Sequence, residues 1–452
     1  MKENSHTIGT ARSARINEAV RICIVGKLRL ALARVGLPSA NLDICFWSLA
    51  PAQGLPKVIG DVCSTLHTHT GTTTGKTTGT KGRQMKKTQW KTALWAAATT
   101  ASAAVALGLW AGSAAAQAQD PLKVIRIGIA TGGVGSDPVR HGGTSAALAY
   151  TDGGLEEEFK KDGVKVQWTF FKGAGPAVNE ALVNKQLDFA WQGDLPSIVH
   201  RASDVKTKII LGSGVRGGLY LAVPPDSNIR RLEDLKGRKV AVFKGTNLHL
   251  AAVRALADKG LSERDVKLLN LDLPSAEAAL VSKDIDAAFG YVGFFKLRDQ
   301  GLAKVVWSAA EDSYKYTRQT ALLVTDDFAA RHPKAVERVV KTVVLYAHKY
   351  SDENRRAELF AQWGKAEYAE KVWREDFIGQ PLRVRLSPLL DPFLVARYKD
   401  AADEAHKLKL IRKKPEIDSC FDRRYLNAAL KELKLESYWP VYGANGDLVA
   451  AP

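Results

Sequence analysis

The groups in this chain best suited to chemistry are backbone N–H groups at a set of glycine corners. In the stretch LEDLKGRKVAVFKGTN, Leu232 to Asn247, a tight turn at Lys236-Gly237 leads into a strand over Lys239–Phe243. The corner Lys244-Gly245-Thr246-Asn247 then opens a helix that runs to about Lys259. Val240, Val242 and Phe243 have the β-branched and aromatic character of a buried parallel strand. Leu248, Ala252, Leu256 and Ala257 recur at helical spacing, and Gly260 follows as a C-terminal cap. The first N–H groups of a helix have no intrahelical partner and sit at the positive end of its dipole. A corner built this way holds small anions, so Gly245, Thr246 and Asn247 are candidate ligand contacts. Ordinary α/β folding also produces such corners, and this one gains meaning from its neighbours.

Similar corners recur along the chain. A strand over Lys123–Ile129 breaks at Ala130-Thr131-Gly132-Gly133, and one over Val164–Phe171 runs into Lys172-Gly173-Ala174-Gly175-Pro176 and a helix through about Asn184. Leu187–Trp191 ends in Gln192-Gly193-Asp194-Leu195-Pro196-Ser197 before a helix. Val266–Leu271 leads to Pro274-Ser275, with Ser275 as N-cap, and Ile285–Phe289 ends at Gly290-Tyr291-Val292-Gly293. Strands alternating with short helices over this span imply an α/β fold with parallel sheets. No Ser/His/Asp arrangement, metal-spaced His/Cys cluster, Walker loop or dinucleotide glycine pattern accompanies them. The residues therefore read as non-enzymatic, with no cofactor or metal implied.

Three segments carry a family resemblance: KGAGPAVNEALVNKQLDFAWQGDLPS (Lys172–Ser197), LEDLKGRKVAVFKGTNLH from Leu232, and TALLVTDDFAARHP (Thr320–Pro333). They resemble the solute-binding proteins of ABC importers, in the branch for aliphatic sulfonates, taurine and nitrate. The resemblance covers about half the chain and continues more loosely to about Leu435. It implies the type II periplasmic binding protein fold: two Rossmann-like lobes joined by a two-strand hinge, with a small anion, most naturally an aliphatic sulfonate, held between them. Residues 119–215 and 320–452 would form lobe one and residues 216–319 lobe two. An ABC permease and ATPase would be the partners of a monomeric receptor. The same fold hosts nitrate and thiamine-precursor binders, and also desulfinases and pyrimidine synthases. A desulfinase would need a cysteine just after the first strand, where this chain has none.

The resemblance also bears on individual residues. Asp194 matches the aspartate of the family's Thr-Gly-Asp segment, and either caps its helix or serves the ammonium end of a taurine-like ligand. Gln192 stands where relatives usually carry threonine. Arg216 lies at the outgoing crossing and is either a cleft counter-charge or a surface ion pair. His249 matches a family histidine that orients the helix start. Tyr291 replaces the indole of the family's Trp-Asp/Glu-Pro strand end, and Gly132 and Gly133 replace a common Gln or Tyr. Trp191 packs in the core or lines the apolar wall. A sulfonate stays ionised near neutral pH, and helix-start N–H groups contribute about 0.3–1 kcal/mol each to holding it. Several such groups with side-chain hydrogen bonds could reach the ~8 kcal/mol of micromolar binding without a lysine or arginine.

Composition adds an address. The only methionines are Met1 and Met85, and Met85 precedes Lys86, Lys87 and Lys91, an uncharged stretch Thr92–Trp110 and a small-residue end at Ala116-Gln117-Ala118. That is the tripartite pattern of a cleaved export signal over residues 85–118, implying a periplasmic protein. Residues 1–84 read as a mis-assigned start or a disordered extension, since Ser64–Gly82 is a low-complexity Thr/Gly/Lys tract. Residues 1–118 hold 14 basic and 4 acidic residues, so +10 of the net charge of +17 lies there and +7 remains. That excess suits an anionic ligand, and no nucleic-acid recognition pattern flanks the basic run His406–Lys414.

Overall fold

The computed structural model describes residues 121–131, 142–365 and 368–452. The proposed extension and export segment, and the candidate site residues Gly132 and Gly133, lie outside the described residues. The chain begins with β1 (Val124–Ala130), α1 (Ser145–Thr151), α2 (Gly154–Lys160), β2 (Lys165–Phe171), α3 (Ala174–Val183), β3 (Phe189–Gly193), α4 (Asp194–Ala202) and β4 (Thr207–Gly212). It then crosses into β5 (Tyr220–Val223), β6 (Lys239–Val242), α5 (Asn247–Asp258), β7 (Lys267–Asn270), α6 (Leu273–Val281), β8 (Ala287–Gly290), α7 (Gly293–Asp299), β9 (Lys304–Ser308) and α8 (Ala309–Asp312). The return comprises β10 (Thr320–Thr325), α9 (Asp326–Arg331), α10 (Pro333–Tyr350), α11 (Arg356–Trp363), α12 (Glu370–Asp376), α13 (Leu382–Arg385), α14 (Pro392–Lys407) and α15 (Arg424–Leu433). A hairpin of β11 (Val441–Tyr442) and β12 (Leu448–Ala450) follows.

Two five-stranded sheets result, ordered β2-β1-β3-β10-β4 and β7-β6-β8-β5-β9. In each, one strand runs against its neighbours: β10 is antiparallel to β3 and β4, and β5 to β8 and β9. Both are the first strands laid down after a crossing between lobes. Ile125, Ile127 and Ile129 are buried on β1, flanked by parallel β2 and β3, as a central strand covered on its faces requires. In lobe two, Val240, Val242 and Phe289 share a core with Ala252 and Leu256 of α5.

Helix α10 buries Val336, Val339, Val340, Val343 and Val344 along one face against lobe one, each contributing about 1.5–3 kcal/mol. A third cluster joins α11 and α12 to lobe two, with Phe360, Trp363, Trp373 and Phe377 packed among Tyr220, Phe294 and Phe295. The α/β architecture with two Rossmann-like lobes is therefore the one the resemblance implies.

Two details differ from the sequence reading. Asp272, not Ser275, caps α6: its carboxylate accepts from Ser275 N–H at 2.9 Å, and Pro274 occupies the first turn, where its missing N–H costs nothing. The two strands of the expected hinge, which follow the outgoing and returning crossings, do not pair with each other, since β5 belongs to one sheet and β10 to the other. The crossings meet just before them, at the antiparallel bridge of Gly217 and Arg318.

Candidate functional site

Between the lobes lies a cavity of about 120 Å³, small beside the ~300–1,000 Å³ of pockets for drug-sized ligands. Glycines allow the lobes to meet around it. A Cβ on Gly193, at the end of β3, would lie 2.7 Å from Asn247 of α5, and one on Gly245 would lie 3.0 Å from Pro176. Gly245 also has φ +77°, which favours glycine independently.

Arg318 supplies the charge. Its backbone exchanges hydrogen bonds with Gly217, its Nε donates to Gly218 O at 2.6 Å, and its guanidinium lies 5.3 Å from the Tyr291 ring centroid. Burial lowers its pKa from the ordinary value, opposed by Asp376 and Tyr291, but a guanidinium remains charged in a protein. No carboxylate among the described residues closes an ion pair with it.

Opposite stands a satisfied network. Asp376 Oδ1 accepts from Tyr220 OH at 2.6 Å, and its Oδ2 accepts from Arg385 at 2.7 Å. Arg385 also donates to Asp376 O and to Gln380 Oε1. Burial would raise the Asp376 pKa, yet Arg385, Tyr220 and Arg318 together hold it below the usual value. Two guanidiniums and one carboxylate thus border the cavity among the described residues, leaving one positive charge in excess.

The helix starts are as follows. Thr246 caps α5, accepting from Leu248 N–H at 3.2 Å while its hydroxyl donates to Phe243 O at 2.7 Å. Its side chain therefore shapes the corner. His249 Nδ1 accepts from Gly245 N–H at 3.3 Å and Nε2 faces Glu263 at 2.8 Å, so this histidine does orient the helix start. Asn247 reaches from lobe two to Gln319 O at 3.4 Å, the same carbonyl that accepts from Asp194 N–H at 3.1 Å.

Gly193 is the N-cap of α4 and Asp194 its first residue, with a carboxylate that accepts from Leu195 N–H at 2.7 Å. Burial pushes the Asp194 pKa up to about 6, against the opposing pull of Arg254 and of the backbone at Leu195 and Gln319. Asp194 does not border the cavity, whereas Gln192, Gly193, Thr246, Asn247 and Tyr291 do. Gln192 is 1% exposed and packs its amide 2.9 Å from His200 Nδ1.

Arg216 is not a cleft counter-charge. It has φ +55° and is clamped between the Phe393 and Tyr442 rings, 4.1 Å from each centroid, outside the cavity. Trp191 lies in the lobe-one core, stacked on Trp168 at 6.1 Å. Cys420 is buried in the same core, away from the cavity. The residues that sequence reasoning missed are Arg318, Trp373, Asp376 and Arg385. Arg318 carried a signal, since it precedes the returning strand as Arg216 precedes the outgoing one. The others come from helices read only as packing. Among the described residues no group of side chains could hold a metal ion, and no helix is long and apolar enough to cross a membrane.

Comparison with known proteins identifies the family. The NMT1/THI5-like family model matches residues 159–350. A Bacillus subtilis (strain 168) protein assigned to aliphatic-sulfonate binding is 27% identical over 318 residues, covering 69% of this chain and 89% of its own. The structure of a periplasmic sulfonate-binding protein SsuA assigned in Methylobacillus flagellatus KT is 30% identical, with a TM-score of 0.63, covering 72% of this chain and 98% of that one. The alkanesulfonate-binding SsuA of Xanthomonas axonopodis pv. citri, bound to MOPS, shares the fold at 23% identity and a TM-score of 0.56, covering 66% of this chain and 98% of that one. The chain belongs to the periplasmic solute-binding proteins of ABC importers, in the NMT1/THI5-like family.

Proposed function

We propose that the chain is the substrate-binding component of an ABC importer, capturing a small aliphatic sulfonate between its lobes and delivering it to an inner-membrane permease and ATPase. The observation that carries this reading is Arg318, a permanently charged group in a small interlobe cavity without an ion-pair partner among the described residues. A sulfonate is its match in charge, and the excess of one positive charge suits a monoanion. The cavity volume favours a short chain, and the names of the relatives support the same ligand class. The protein works in the periplasm as a monomer after loss of residues 85–118, with Gln192, Gly193, Thr246, Asn247 and Tyr291 around the ligand.

Calorimetric titration of the protein with short alkanesulfonates, nitrate and thiamine precursors tests this. Micromolar sulfonate binding, about 8 kcal/mol, is expected. Tighter binding of nitrate or a thiamine precursor, or no sulfonate binding, overturns it.

A further inference from the structure

One residue lining the cavity carries a buried hydrogen-bond donor without a partner among the described residues. Trp373, in α12, is 4% exposed, and its indole Nε1 is buried without a hydrogen-bond partner among the described residues. A Cβ on Gly142 would come within 2.5 Å of Cζ2 and 2.9 Å of Cε2, so the ring edge from which Nε1 extends faces Gly142, itself a cavity residue. A Cβ on Gly143 would meet the same ring at 2.9 Å. Trp191 and Trp363 also have buried Nε1 atoms without partners among the described residues, but neither borders the cavity. A buried N–H left unpaired is unfavourable, and a ligand acceptor relieves it.

We propose that Trp373 Nε1–H is a ligand contact that selects sulfonates over carboxylates, a refinement that rests on the sulfonate reading of the cavity. The Arg318 Nε is occupied by Gly218 O, which leaves the two terminal nitrogens to engage two oxygens of the anion side by side. A carboxylate has no further oxygen, and a sulfonate has a third. Arg385 keeps only Nε unused, because its terminal nitrogens serve Asp376 and Gln380. Arg385 Nε and Trp373 Nε1 are thus two buried cavity-residue donors without a partner among the described residues, and of the two only Trp373 can turn towards a third oxygen without giving up an ion pair.

Trp373→Phe keeps an aromatic ring and removes the N–H. Affinities for propane-1-sulfonate and butyrate are measured by calorimetry on wild type and variant. The sulfonate is expected to weaken roughly tenfold to a hundredfold while butyrate changes by less than about threefold. In wild-type protein with ¹⁵N-labelled indoles, the Trp373 resonance is expected to move downfield when propane-1-sulfonate is added, a reading that stands even if the variant fails to fold. An unchanged sulfonate affinity in a folded variant, equal losses for both ligands, or an unmoved resonance overturns the proposal and leaves sulfonate binding intact. A wild type that binds no alkanesulfonate overturns both.

Discussion

Gly217 and Arg318 exchange both backbone hydrogen bonds, each 2.9 Å long, at the point where the two crossings between lobes meet. The residue that joins the crossings thus also brings a positive charge to the cavity, and on the proposed reading an anion held by its side chain would act directly where the crossings meet. A ligand can shift the lobes only by favouring one arrangement over another, and contact with Arg318 provides such a preference.

Arg318→Gln should weaken sulfonate binding by about 1.5–3 kcal/mol, the range for a hydrogen bond to a charged group. Arg318→Lys should restore only part of it, since an ammonium cannot reproduce the paired N–H groups and the bond to Gly218 O together. Titration calorimetry reads both, and full affinity in the Gln variant would refute the assignment.

Gly193→Ala tests the apposition of the lobes. Gly193 has φ −71° and ψ 171°, which alanine adopts freely, so the added Cβ acts through its clash with Asn247, 2.7 Å away, and not through backbone strain. The unliganded melting temperature should change little, while ligand affinity falls and the ligand-induced decrease in radius of gyration shrinks. Normal compaction in solution scattering would argue against this contact.

Two buried groups give opposing pH dependences. Asp194 has a folded pKa of about 6 against an ordinary 3.8, so its contribution favours the fold at low pH and is lost as pH rises through 6. His200 is lowered by burial to about 4 from 6.5, so its contribution is present at higher pH and is lost as pH falls through 4. Between pH 4 and 6 the two offset one another. Asp194→Asn should remove one side and leave a protein whose stability falls steeply on acidification through that range. Denaturation at several pH values reads the slope, and parallel profiles for wild type and variant would count against the account.

Asp376→Asn should cost about 3–5 kcal/mol, because Arg385 is left buried with an uncompensated charge. Tyr220→Phe removes one hydrogen bond to the same carboxylate and should cost about 1.5–3 kcal/mol. Urea denaturation gives both values, and a neutral Asn variant would show the pair to be more solvated than its burial implies.

The strand–glycine–helix corners were legible because their signals are local. The strand expected at 239–243 is β6 at Lys239–Val242, and the helix expected to end near Lys259 ends at Asp258. Gly193 and Gly245 were recognisable as special, though the reason lies in the opposite lobe, where Asn247 and Pro176 approach them. Asp376 was out of reach, since its partner Tyr220 lies 156 residues earlier and neither stands in a distinctive local pattern. Arg216 and Arg318 show the same limit: each sits at a crossing, and only tertiary contacts decide that one enters an aromatic clamp and the other the cavity.

The position of β10 has a consequence for the order of assembly. It lies between β3 and β4, pairing Leu323 with Ala190 and with Ile209, so the first sheet is incomplete until residues 320–325 are available. Lobe two, by contrast, draws its whole sheet from one uninterrupted stretch, Tyr220 to Ser308. It can therefore form early, while the long-range pairing of lobe one comes late and slowly. Until β10 docks, β3 and β4 present unpaired edges, the stage at which the chain is most open to association with other copies.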